Sequence, residues 1–331
     1  MDERQKGGRW RGALFFALVL CAATGSAFAS EMKLVPVGDT VGVKLFSRGV
    51  MVVGLSEDKT AAKEAGLREG DILLALNDEQ IDSTEELTAL LQENGEAELH
   101  LTLRRGAKTM AVSANPTHSG GAYCLGAWVR DSMAGIGTVT YYDPETGAFA
   151  ALGHGITDVD TGQLMPLARG SVMASTVKAV RRGESGSPGE LRGAFDLTRD
   201  LGALTANTER GVFGTLDEAS ALTLGEALPV ARKSEVTVGA ATLRANVSGD
   251  EVKDYKVEIE RVLDPKGSVR NFLVRVTDPA LLAQTGGIVQ GMSGSPIIQN
   301  GKLIGAVTHV LVDDPTRGFG IFIENMLNAA K

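Results

Sequence analysis

"GGIVQGMSGSPIIQNGKLIGAVTHV", residues Gly286–Val310, is the stretch from which the rest of the chain is best read. Its glycine-rich turn around Ser293 runs directly into the apolar run "PII". The turn "QNGK" follows, and "LIGAVTHV" returns, which is the pattern of a β-hairpin. A serine hydroxyl is a poor nucleophile until a neighbouring imidazole takes its proton and a carboxylate orients that imidazole. The N–H groups around the serine must also face a developing oxyanion, which favours glycine in a tight turn on a rigid support. Ser293 is therefore a candidate nucleophile, with the N–H groups of Gly291 and Ser293 as candidate oxyanion donors.

A second stretch, "GESGSP" at Gly183–Pro188, is almost the same as "GMSGSP" at Gly291–Pro296. Ser185, however, stands among charged residues with no apolar run beside it, the composition of an exposed loop. The chain has only four histidines. His100 lies on the outward side of "AELHLTLRR", where Leu99, Leu101 and Leu103 alternate onto the other face. His118 falls in the linker-like "SANPTHSGGAY". His154, in "AALGHGITD", sits between two glycines at the end of an apolar run, and His309 lies in the returning strand of the hairpin. Asp278, Asp158, Asp160, Asp313 and Asp314 are all candidate partners for the histidine. Spacing does not choose among them, because such groups meet in space and not along the chain.

Composition sets the frame. The chain has 331 residues, room for two domains, and a net charge of −8 that argues against a nucleic-acid partner. With 41 glycines and 5% aromatic residues it reads as many short strands and tight turns. Residues 1–29 carry Lys6, Arg9 and Arg11 ahead of an apolar run and end in Ala27-Phe28-Ala29, the pattern of a signal peptide cut after Ala29 or of an uncleaved membrane anchor. Cleavage would leave Cys124 as the only cysteine, in an apolar context that suggests an inert buried thiol.

Between residues 34 and 115 the order is strand, short helix, strand, helix, strand. "AAKEAGLREGDILLALNDEQI" lies at its centre, and a Ser83–Glu86 capping box opens "TEELTALLQEN". This order resembles a PDZ domain. Such domains take an extended peptide between a sheet edge and a helix. The resemblance puts that peptide against Gly42, Val43, Lys44 and Leu45, opposite the helix from Thr84. Residues 116–122 would be a linker, and 123–331 a β-rich domain.

"RDSMAGIGTVTYYDPETGAFAALGHGI" and "TDPALLAQTGGIVQGMSGSPIIQNGKLIGAVTHVLVDDPTRGFGIFIENML" resemble the stage IV sporulation protein B serine peptidases of endospore-forming bacteria. That family also has an N-terminal signal or anchor and a PDZ domain. The resemblance implies a mainly β fold, with a PDZ domain (α+β) followed by a trypsin-like or related β-barrel peptidase domain. It implies His154 as base, Asp278 as its orienting acid and Ser293 as nucleophile, with no metal and no cofactor. It further implies an exported serine endopeptidase acting between forespore and mother cell. Such an enzyme processes itself and cleaves a membrane-bound regulatory protein to activate an intramembrane protease. Two rival readings are a PDZ-bearing quality-control protease, whose PDZ domain would come after the catalytic domain, and a PDZ scaffold with an inactive peptidase-like domain.

Overall fold

The computed structural model describes residues 32–330, apart from 218 and 264–266. The expected signal or anchor, residues 1–29, lies outside the described residues. The chain enters through β1 (Lys33–Pro36) and β2 (Thr40–Leu55). β2 has 16 residues, far beyond an ordinary strand, because its two ends serve different cores. Val41 and Val43 pack with Val139, Phe149 and Leu204. Val50 and Val52 pack instead with Leu73, Leu87 and Leu101.

The second of these cores belongs to a small α+β domain built from α1 (Ala61–Glu64), β3 (Ile72–Leu76), β4 (Glu79–Gln80), α2 (Thr84–Asn94), β5 (Leu99–Arg105) and β6 (Lys108–Ala114). α2 starts at the expected capping box: the Ser83 hydroxyl accepts from the Glu86 N–H, and the Glu86 carboxylate accepts from the Ser83 N–H. β7 (Thr117–Ser119) and β8 (Ala122–Cys124) then form a short hairpin where a linker was expected. It is tied to α2 by the Gln92 amide, which bonds both the N–H and the C=O of Tyr123. Cys124 is half-buried there, its thiol 3.5 Å from the Thr117 carbonyl.

β9 (Ala127–Tyr142) returns antiparallel along β2, with Ala127 opposite Leu55 and Thr138 opposite Thr40. The α+β domain is thus an insertion at the far end of a long hairpin, not a separate unit preceding the catalytic half. This corrects the expected boundaries: residues 34–46 belong to the catalytic half. It also moves the expected peptide-binding strand. Gly42, Val43, Lys44 and Leu45 pair with β9 on one edge and with the later strand β11 on the other. With both edges hydrogen-bonded, they have no free edge on which a peptide could add.

β10 (Ala148–Ala151), β11 (Leu167–Arg181), β12 (Glu190–Thr208) and β13 (Gly211–Leu216) complete the first barrel. Its order is β9-β10-β13-β12-β11-β2, closed by the β2–β9 pairing. β14 (Leu228–Pro229) pairs with β1. The second barrel is made of β15 (Gly239–Asn246), β16 (Val252–Val262), β17 (Phe272–Val276), β18 (Pro296–Gln299), β19 (Lys302–Leu311) and β20 (Asp314–Phe322), closed in the order β15-β16-β17-β20-β19-β18. α3 (Pro279–Thr285) connects β17 to the serine turn. α4 (Ile323–Ala329) follows β20. Closing each barrel pairs most of the strand edges that a many-stranded open sheet would expose. No helix among the described residues is long and apolar enough to cross a membrane.

Candidate active site

The turn that carries Ser293 leads from α3 into β18, and two threonines of β9 clamp it to the first barrel. Thr138 donates its hydroxyl to the Gly291 carbonyl and Thr140 donates to the Gly294 carbonyl, each at 2.8 Å, while the Thr138 N–H bonds the Ser293 carbonyl at 3.0 Å. Both threonines are buried, so these bonds satisfy groups that would otherwise be costly to bury. Gly294 has φ +96°, and a Cβ there would lie 2.1 Å from the Thr138 carbonyl oxygen. Only glycine lets the turn sit this close to β9.

Within the turn the N–H groups of Gln290, Met292, Gly294 and Ser295 all donate to backbone carbonyls. Those of Gly291 and Ser293 have no acceptor among the described residues. These two were the N–H groups expected to serve an oxyanion, and both residues line the same cleft as His154.

His154 comes after an abrupt end to β10. Leu152 and Gly153 both adopt left-handed backbone angles, φ +69° and +67°, which swing the next residue out of the sheet toward the cleft. For leucine this conformation is strained, a cost tolerated where a side chain must be presented. Asn207 of β12 steadies the segment beyond His154: its side chain accepts from the Ile156 N–H and donates to the carbonyls of Ile156 and Met165. In the sequence, the run "GALTAN" reads only as a strand. An asparagine has too many local uses for its type alone to mark this one.

The His154 Nδ1 lies 2.8 Å from the Gly155 carbonyl oxygen. A carbonyl only accepts, so Nδ1 carries the proton and Nε2 is left with a lone pair. Burial holds His154 below the usual histidine range, against a smaller opposing influence from the Gly155 carbonyl. Near pH 7 it is therefore a neutral base. His309 on β19 joins it, with ring centroids 5.2 Å apart. Burial, then the charges of His154 and Arg270, push His309 down to about 4. The Ser293 hydroxyl donates to the carbonyl of Thr308, the residue before His309, at 2.9 Å.

Asp278 is not brought to His154 in this geometry. It is the N-cap of α3: its carboxylate accepts from the N–H groups of Ala280 and Leu281, and from that of Lys256 on β16. Three of the other candidate acids also have structural partners. Asp158 and Asp160 both pair with Arg130 of β9, which anchors the segment after His154. Asp314 holds Thr316 and Arg317 in the turn opening β20. Ser185, as expected, is in an exposed loop, where it donates to the Asp313 carbonyl. His100 is exposed, its Nδ1 3.2 Å from the Ser113 hydroxyl, and His118 stacks edge-on against Tyr123.

Two closed β barrels meeting at a serine in a glycine turn, with a neutral histidine in the same cleft and an α+β insertion, define the architecture of a barrel-type serine peptidase carrying a PDZ domain. The sequence of residues 121–327 matches the SpoIVB peptidase S55 family, and that of 52–105 matches the PDZ domain. The chain belongs to the SpoIVB peptidase S55 family.

Among curated proteins it is 30% identical over 107 residues to the regulator of sigma-W protease RasP of Bacillus subtilis, covering 32% of this chain and 23% of that protein. It is 34% identical over 68 residues to serine protease HTRA1 of Xenopus tropicalis, covering 20% of this chain and 14% of that protein. The chain thus spans less than a quarter of either relative's length. Among solved structures it is similar to the active form of the Rv3671c protease from M. tuberculosis, at 16% identity and a TM-score of 0.32, over 60% of this chain and 73% of that one.

Proposed function

We propose that this chain is an exported signalling endopeptidase in which Ser293 attacks a peptide carbonyl while His154 takes and returns the proton. The observation that carries this reading is the pair of unbonded N–H groups, Gly291 and Ser293, in a turn whose other donors are all engaged. They are free to receive a tetrahedral oxyanion, and a single such donor is typically worth about 10²–10³ in rate. His154 needs no carboxylate to choose its tautomer, because the Gly155 carbonyl already does so.

The cycle then runs as acyl transfer. His154 Nε2 removes the Ser293 proton as Oγ bonds to the substrate carbonyl, and the same proton passes to the leaving amine. A water then repeats the sequence on the acyl-enzyme. The family's name and the signal-like first residues support a sporulation role outside the cytoplasm. Self-processing and cleavage of a membrane-bound regulator of an intramembrane protease complete this reading.

The experiment is fluorophosphonate labelling of the full-length chain, with the modified residue mapped by mass spectrometry. The reading requires label on Ser293, lost in Ser293→Ala and His154→Ala. Label on Ser185, or none in any form of the protein, would refute it. Incubation of purified wild type beside Ser293→Ala then tests self-processing: fragments must form in the first and not in the second.

A further inference from the structure

The cleft beside Ser293 has a volume of about 280 Å³. Its wall on the first-barrel side is apolar: Val43 of β2, Met133 and Ile136 of β9, and Leu152 and Ile156 flanking the His154 turn. Among the described residues, no Asp, Glu, Lys or Arg lines it. A charged side chain entering here would lose water and gain no partner, whereas an apolar one gains by every methylene it buries.

The same wall offers main-chain groups. Met133–Ile136 pair with β2 on one edge, and no strand among the described residues pairs with the other. Ala134 and Gly135 are exposed, and a Cβ placed on Gly135 would meet nothing within 4 Å. An unpaired, unobstructed strand edge takes an extended chain as an added strand. β9 therefore supplies both halves of a recognition site, and its Thr138 and Thr140 lock that site to the nucleophile turn.

We propose that a polypeptide substrate adds to this edge of β9 and lodges a bulky aliphatic or aromatic side chain, adjacent to the cleaved bond, between Met133, Ile136, Leu152 and Ile156. The proposal rests on the Ser293 peptidase reading and names the substrate class for that site.

The test is to incubate full-length protein with a peptide mixture from a digested proteome and read the new termini by mass spectrometry, subtracting those that persist with Ser293→Ala. Wild type enriches Leu, Ile, Met or Phe at one position flanking the cut, and replacing that residue by Ala in a model peptide lowers kcat/KM by roughly 10- to 200-fold. Met133→Lys and Ile156→Lys, both at half-buried positions, lose that enrichment and admit acidic residues. Ser293-dependent cleavage with no apolar enrichment in wild type overturns the proposal, as does an unchanged wild-type pattern in both folded lysine variants. If neither variant keeps a cooperative melting transition, the wild-type profile alone decides. Label on Ser293 with no peptide cleaved also counts against the proposal, whereas no label sinks the peptidase reading beneath it.

Discussion

The hydroxyl of Ser293 donates to the carbonyl oxygen of Thr308, 2.9 Å away, and its one proton is therefore not shared with His154. The proposed role requires that proton to leave the Thr308 carbonyl for His154, while the turn itself stays held by Thr138 and Thr140. Under the proposed mechanism, the resting chain thus has its candidate nucleophile parked and its candidate base already in the neutral form. Replacing His154 by Gln should leave the melting temperature nearly unchanged and lower kcat/KM by at least about 10²–10⁴-fold. Peptide-cleavage kinetics beside a thermal melt check this.

Asp278 caps α3 through two N–H groups, so its removal should act first on stability. Asp278→Ala is expected to cost about 0.5–2 kcal/mol, and Asp278→Asn much less, because asparagine also caps well. Activity should track those losses. A fall of about 10⁴ in kcat for Asp278→Asn at unchanged stability would show instead that the carboxylate reaches His154 in the working enzyme.

Gly294→Ala places a methyl carbon 2.1 Å from the Thr138 carbonyl oxygen at a position with φ +96°. Neither a rigid backbone carbonyl nor the left-handed angle can give way cheaply. Denaturant titration should show a loss of at least about 1–3 kcal/mol, accompanied by loss of fluorophosphonate label at Ser293. Full labelling in this variant would mean the two barrels do not grip the turn as described.

The two half-buried histidines set a pH dependence. His309 is shifted down from 6.5 to about 4, so below pH 6.5 the unfolded chain binds a proton that the folded chain refuses. The stability linked to it is fully present above 6.5 and is lost as pH falls toward about 4. His154 is shifted in the same direction, which also places the acid limb of activity below the ordinary histidine value. Urea titrations between pH 7.5 and 4.5 should show falling stability, with a shallower fall in His309→Gln. Equal slopes in the two proteins would contradict the assignment.

Val52 and Val129 stand opposite each other on β2 and β9, just beyond Arg130, the residue that pairs with Asp158 and Asp160. Replacing residues 53–128 by Asn-Gly, a two-residue hairpin turn, should therefore leave both barrels folded and Ser293 open to fluorophosphonate. Far-UV circular dichroism and labelling read the outcome. Loss of cooperative unfolding would show that the PDZ insertion is a structural part of the barrel.

Local chemistry alone dictates much of this chain. The alternating Leu99, Leu101 and Leu103, the Ser83–Glu86 capping box, and the glycine turn with its hairpin after Ser293 each depend on neighbours within a few residues, and each is found where expected. Even the capping role of Asp278 has a local signature, although the resemblance pointed to catalysis instead. Asp278-Pro279, an apolar run and then Gly286 spell an N-cap, a proline in the first turn and a left-handed C-terminal stop.

Tertiary structure alone decided the rest, because it depends on which distant segments pair. Val41–Leu45 has the composition of a half-buried strand in either domain, and only its pairing with β9 and β11 places it in the catalytic barrel. Residue identity could not separate His154 from His309, nor bring Asn207 to the histidine turn. Those juxtapositions come from closing a sheet into a barrel, where residues dozens of positions apart become neighbours at the entropic cost of ordering the long segments between them.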